Sequence, residues 1–280
     1  MSGTLFVVAT PIGNLGDFSP RAVETLSDVD FIAAEDTRVS ARLLHRFGIK
    51  TPQISYFEHN RREKGEQIAA RLLAGERCAL ITDAGTPAIS DPGFDLVALC
   101  RERGIPVAAV PGCSAVVTAL SISGMACGRF AFEGFLSMHK RQRREHLASL
   151  KGEKRTLVFY EAPHKLLRTL QDLLDALGDR QAAVCRELTK LHEEVLRTTL
   201  TGALAHFQET APRGEFVLVV AGAEGPSADE AEAAAPDPME AVRELVHGGS
   251  SVRDAVKQVA QELGAARNAL YRQALAELES

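Results

Sequence analysis

The 280-residue sequence predicts an α/β protein of two lobes followed by a small helical module. Three observations support that class. Short apolar runs at 5–9, 30–34, 78–81 and 107–110 alternate with helical patterns, the order that builds a parallel sheet covered by helices. Stretches rich in glycine and proline follow these runs, at the strand ends where open α/β sheets bind ligands. Residues 223–238 carry neither apolar periodicity nor positive charge, and a small helical module is read after them, with helical periodicity from Val252. The expected division is an N-terminal α/β lobe over 1–122, a second α/β lobe over 123–222, a flexible linker over 223–238 and a helix-turn-helix-like module over 239–280.

Taken in order, the run 5–9 reads as a buried strand that stops at Pro11-Ile12-Gly13. Gly13-x-x-Gly16-Asp17 lacks both G-x-G-x-x-G and the Lys-Ser/Thr ending of a P-loop, so a nucleotide-phosphate site is a weak reading. A helix over 20–27, a strand over 30–34 and an amphipathic helix over 39–47 closed by Gly48 follow. Between strand and helix, Glu35-Asp36-Thr37-Arg38 reads by itself as a helix cap with a salt bridge. A helix from Glu58 to Leu73 ends at Gly75, and the strand 78–81 leads into residues 82–93. There two glycines and two prolines fix an irregular path, while Asp83, Thr86, Ser90 and Asp91 supply polar groups. A plain connection and an active-site loop fit that stretch equally well. A helix over 94–103, a strand over 107–110, the Pro111-Gly112 turn and a helix starting at Ser114 complete five strand–helix units in about 120 residues.

Residues 124–128 mark the boundary of the second lobe, where Phe130, Phe132 and Phe135 lie along a strand. Residues 138–144, Met-His-Lys-Arg-Gln-Arg-Arg, are the strongest positive cluster. They could open a helix, but cations are badly placed at a helix N-terminus, which points to a mobile loop that meets phosphates. Strands over 156–160, 182–185, 196–200 and 216–220 and helices over 165–177 and 202–210 follow, in a sheet that need not be all parallel. In the last module two helices flank Gly264. Its five Lys/Arg against six Asp/Glu lack the electrostatic footprint of a DNA reader, so packing or RNA docking is at least as good a reading.

Composition narrows the function. Net charge is −5 and aromatics are 5% with no Trp, so nucleic-acid contact would rest on local basic patches rather than a global field or base stacking. Five widely spaced cysteines without a C-x-x-C pair form neither a zinc set nor a disulfide framework. No apolar run approaches a membrane span and no leader pattern opens the chain. A cytoplasmic protein without metal or membrane contact is expected.

Residues 9–17, 82–93 and 110–115 together resemble the tetrapyrrole methylase family of S-adenosylmethionine-dependent methyltransferases, the two-lobed class III fold. Residues 34–38, 159–164 and 186–194 are similar to the branch that methylates a cytidine ribose 2′-hydroxyl of 16S rRNA in the small ribosomal subunit, near the decoding centre. The resemblance runs from residue 4 to about 222 in six ordered blocks. Cys113 stands where that branch usually has Pro, and Lys165 where Arg is common. The resemblance implies S-adenosyl-L-methionine as cofactor, held by Pro11, Asp83, Ala84, Gly85, Ile89, Ser90, Pro111, Ser114, Ala115 and Tyr160. It also implies a homodimer. Glu35, Asp36, Arg38, Lys140, Arg143, Lys165 and His192 are the candidates for holding RNA.

A ribose hydroxyl must lose a proton as it is methylated. Glu187 with Lys190, in the densest cluster of titratable groups, is the first choice for that task, although a structural ion-pair network would look the same. Two other functions compete: C-methylation of a tetrapyrrole, and a non-catalytic nucleic-acid-binding regulator using the C-terminal module.

Overall fold

Four of the five strands in the first sheet are wholly apolar and call for cover on both faces, which helices supply. The computed structural model describes residues 2–224 and 237–278, which fall into two units, Met1–Ala223 and Glu224–Ser280. In the larger unit, Leu5–Val8 (β1), Phe31–Ala34 (β2), Gln53–Ser55 (β3), Cys78–Ile81 (β4) and Val107–Val110 (β5) form a parallel sheet in the order β3-β2-β4-β1-β5. Strand β3 has three half-buried residues, two of them polar, so no apolar run announces it. Helices Pro20–Asp28 (α1) and Thr37–Arg46 (α2) cover one face. Arg61–Leu73 (α3) and Phe94–Glu102 (α4) cover the other. Alternate strand residues divide accordingly. Leu5, Phe31 and Leu80 pack with Ile68, Leu72 and Leu96, while Val8, Ile32 and Ile81 pack with Leu26 and Leu44.

The next helix, Ala115–Ser123 (α5), packs on the second sheet instead, with Val116, Ala119 and Leu120 against Val158, Cys185 and Val217. That sheet contains Phe130–Phe135 (β6), Thr156–Glu161 (β7), Gln181–Arg186 (β8), Glu194–Thr199 (β9) and Phe216–Val220 (β10), in the order β6-β7-β10-β8-β9. Only β6 and β7 run parallel. Helices Lys140–Ser149 (α6), Leu166–Leu177 (α7) and Leu200–Glu209 (α8) close its far face.

The basic cluster at 138–144 is therefore not a loop. Helix α6 begins at Lys140 in spite of its cationic first turn, because Arg143 and Leu147 both turn inward. Arg143 is 5% exposed; its Nε donates to Asp172 Oδ2 at 2.6 Å and its Nη2 to Thr169 Oγ1 at 2.8 Å. A buried guanidinium needs such partners, and α7 supplies both.

The C-terminal unit is a bundle of three helices, Pro238–His247 (α9), Val252–Leu263 (α10) and Arg267–Leu278 (α11), around Met239, Val242, Val256, Val259 and Leu270. The two-helix reading omitted α9. Its start is marked locally by Asp237, whose Oδ1 accepts from Met239 N at 2.9 Å, and by Pro238 in the first turn. Gly264 ends α10 in the left-handed conformation at φ +66°. Most of the expected linker, residues 225–236, lies outside the described residues. Among those described, no helix is long and apolar enough to cross a membrane.

Candidate active site

Strand β1 lies between β4 and β5, and the chain leaves β1 to form β2 on the far side of β4. A crevice opens at the carboxyl ends of strands where such connections diverge. Here the loops after β1, β4 and β5 are tied into one floor. Thr10 N donates to Gly85 O at 2.8 Å and Gly85 N to Thr10 O at 3.1 Å. Thr10 Oγ1 donates to Thr82 O at 3.1 Å, and Thr86 Oγ1 to Cys113 O at 3.0 Å. Gly85 sits at φ +89°, where a side chain is strained. Among the described residues, the four non-glycine positions with positive φ are Ala88, Ser90, Glu187 and Thr189. They lie in two loops that flank the crevice, and backbone strain of this kind gathers at ligand sites.

Over that floor is a cavity of about 380 Å³, walled below by Gly85, Ile89, Ser90, Asp91 and Ser114 and above by Phe135, Tyr160, Glu161 and Phe216 from the second sheet. Its size is that of a small-molecule site. Tyr160 packs edge-on against Phe132 and Phe135, with centroids 4.9 and 5.5 Å away. Burial pushes its hydroxyl up to about 12, so it stays neutral. Asp91 is pushed up to about 6, first by burial and then by the nearby charge of Glu35. Glu35 itself accepts a 2.5 Å bond from Thr82 Oγ1. Glu161 is 4% exposed and accepts from Ala162 N at 2.8 Å and Thr169 Oγ1 at 2.5 Å. With Tyr160 neutral, the charged side chains of this wall are the carboxylates Asp91, Glu161 and Glu215.

A second cavity of about 350 Å³ shares Ile12, Ala84 and Glu215 with the first and is also lined by Pro11, Gly13, Arg42, Arg46, Asp83 and Lys190.

Of the ten residues expected at the cofactor, Ala84, Gly85, Ile89, Ser90, Ser114, Ala115 and Tyr160 line the larger cavity. Pro11 and Asp83 line the second, and Pro111 lines neither. Glu35 reaches the same loop through Thr82. Asp36 caps α2 and pairs with Arg38 at 2.6 Å, which holds its carboxyl low, at about 2. The cap-and-salt-bridge reading of that block describes what these two side chains do. Arg38, Lys140 and His192 are exposed and Lys165 is half-buried, whereas Arg143 is inaccessible to phosphate for the reason given above.

Glu187 and Lys190 meet at 2.9 Å, Lys190 also reaches Glu215 Oε2 at 3.0 Å, and Glu187 Oε1 accepts from Glu215 N at 2.9 Å. These bonds hold the Glu187 carboxyl below its ordinary value. Glu187 lines neither cavity and Lys190 lines the second, so the pair forms an ion-pair network at the edge of that second cavity. Asp91, Glu161, Arg42 and Arg46 were not expected there. Asp91 was visible only as a polar group of its loop, and the two arginines look like an ordinary solvated helix face.

Comparison with known proteins agrees with this geometry. The family described as Tetrapyrrole (Corrin/Porphyrin) Methylases matches residues 4–203, and the RsmI C-terminal HTH domain matches residues 232–279. A protein of Synechocystis sp. named Ribosomal RNA small subunit methyltransferase I is 51% identical over 99% of both chains. Its namesake in Pseudomonas aeruginosa is 46% identical over 98% of this chain and 97% of its own. Among solved structures, uroporphyrin-III C-methyltransferase from Thermus thermophilus complexed with S-adenosyl homocysteine superposes with a TM-score of 0.54 at 18% identity, covering 78% of this chain and 96% of its own. At that identity the likeness concerns the fold. The chain belongs to the tetrapyrrole methylase family, in the group named ribosomal RNA small subunit methyltransferase I.

Proposed function

We propose that the protein is an S-adenosylmethionine-dependent methyltransferase acting on the 2′-hydroxyl of a cytidine ribose in 16S rRNA of the small ribosomal subunit, near the decoding centre. The observation that carries the reading is the acidic cavity at the strand ends. Its wall offers Asp91 and Glu161, carboxylates with no cationic partner among the described residues, and a glycine-floored approach, which suit a ligand with a cationic sulfur and an ammonium group. When bound, the cofactor supplies a methyl group already activated on that sulfur. Gly85, Ser90, Ser114 and Ala115 then hold it by backbone and hydroxyl groups, and Phe135 and Tyr160 exclude water above it.

The remaining task is the proton of the acceptor hydroxyl. Asp91 is the group we assign to it: its carboxyl faces the cavity and has no cationic partner among the described residues. A base poised near working pH is the effective kind. We assign the RNA phosphates to the exposed Lys140 and the half-buried Lys165, whose solvent access leaves them free to meet such groups.

Labelled methyl transfer to small ribosomal subunits, with mass spectrometry of the product nucleoside, tests the reading. A 2′-O-methylated cytidine is expected. Transfer to a porphyrinoid instead would sink it. Gly85→Val places a branched side chain at φ +89° under the cavity, with about 1–2 kcal/mol of strain at that position. Cofactor binding measured by calorimetry is expected to weaken at least tenfold.

A cytoplasmic homodimer completes the proposal. Phe94 on α4, Val107 on the edge strand β5 and Val117 on α5 are 72%, 41% and 60% exposed, apolar surface that a second copy would cover. Sedimentation should give twice the 30.2 kDa chain mass; a monomer at micromolar concentration would refute it.

A further inference from the structure

The second cavity holds two cations that nothing in the fold accounts for. Arg42 and Arg46 stand one turn apart on α2 and both line it. Like charges at this spacing repel. Elsewhere on this lobe Arg38 answers Asp36, Arg77 answers Asp28 and Arg103 answers Glu66. Arg42 and Arg46 have no ion-pair or side-chain hydrogen-bond partner among the described residues. Lys190, on the opposite wall, is already engaged by Glu187 and Glu215. Among the described residues the cavity therefore keeps two guanidiniums without an ion-pair partner beside one acid, Asp83, whose Oδ1 accepts from the Asp36 backbone N–H at 3.2 Å.

Position says what they would hold. The two cavities meet along Ile12, Ala84 and Glu215, so a ribose reacting at the junction would send its neighbouring groups into the second. On a nucleotide the 2′-oxygen and the 3′-phosphodiester are on adjacent carbons. We propose that Arg42 and Arg46 bind the RNA phosphodiester next to the methylated ribose, and so set the register of the target nucleotide at the cavity junction. Guanidinium forks match phosphate oxygens two at a time, which a single lysine cannot do. The proposal rests on the RNA-methyltransferase reading of the site.

The test is the double variant Arg42→Gln/Arg46→Gln beside Arg42→Lys/Arg46→Lys, assayed for methyl transfer to small subunits over a salt series, with cofactor affinity measured separately. Glutamine is a good helix former and relieves the repulsion, so α2 is retained; a thermal melt checks this. The glutamine variant is expected to raise KM for subunits about tenfold or more and to flatten the dependence of log KM on log salt by about 1–2. Cofactor affinity should stay within about twofold, and the lysine variant should recover the salt slope but only part of the KM. An unchanged KM and slope in the glutamine variant would overturn the proposal. So would a loss of cofactor affinity, which would place the cofactor's carboxylate on these arginines. Wild-type protein that binds cofactor yet methylates no subunit RNA would instead overturn the functional reading underneath.

Discussion

Asp91→Asn is expected to lower kcat about 10²- to 10⁴-fold, the usual contribution of a positioned proton acceptor, while KM for the cofactor changes less than about threefold. The same variant should be more stable than the wild type. The Asp91 carboxyl titrates at about 6 against an ordinary 3.8, because burial and the charge of Glu35 oppose its ionisation. The folded chain thus holds this proton more tightly than the unfolded chain does. Stability contributed by the group is complete below about pH 4 and is lost as pH rises through 6. Asparagine never ionises, so at pH 7 it avoids that loss. Allowing for partial solvent screening, the gain is about 1 kcal/mol, or about 2–4 °C in Tm. In the wild type kcat should rise between pH 5 and 7 with a midpoint near 6, and the residual activity of the variant should lack that limb. Gain of stability with loss of turnover is the signature of a site that holds a group against its own electrostatics. A variant that keeps its kcat would return the proton to another acceptor, with Glu161 the next carboxylate in the wall.

The contrast between Asp91 and Glu187 shows what was legible in the sequence. Both are acids in motif-rich loops, and the density of titratable groups around Glu187 favoured it. What separates them is three-dimensional. Glu187 is met by Lys190 and by the Glu215 backbone N–H, whereas Asp91 faces a cavity with carboxylates for neighbours. Neither environment has a local sequence signal. The floor of the site was more legible, because Gly85 and the prolines of residues 82–93 state a backbone requirement in their own chemistry. Strand positions were legible for the same kind of reason: β1, β2 and β4 are uniformly apolar, and β3, too short to show a pattern, was missed. Helix α9 escaped because its apolar stripe abuts a segment with no periodicity, although Asp237-Pro238 announces its start. Arg42 and Arg46 were illegible for a different reason: an exposed basic helix face is common, and only its place in the second cavity marks this one.

Arg143→Met should cost about 2–3 kcal/mol of stability, or about 5–10 °C in Tm, and leave the salt dependence of RNA binding as it was. Its guanidinium is 6% exposed by side chain and bonded to Asp172 and Thr169. Methionine fills comparable volume but strands both partners. The loss falls below the 3–5 kcal/mol typical of a fully buried broken pair because Asp172 is 32% exposed and Arg168 stands 3.7 Å away as a substitute cation. Removing the acid as well separates this account from a lost phosphate contact. In Arg143→Met/Asp172→Leu no buried charge is left unanswered, because Arg168, which loses Asp172 too, is half-exposed and solvated, and most of the stability should return, since apolar residues commonly replace a buried pair without loss. A residue that held phosphate would behave oppositely. Its single variant would melt like the wild type and flatten the salt slope by about 1, and the second substitution would restore nothing. The same chain of bonds continues from Thr169 Oγ1 to Glu161 Oε2 at 2.5 Å. The basic cluster that the sequence assigns to RNA thereby sends one of its members inward, where it steadies the wall of the cavity.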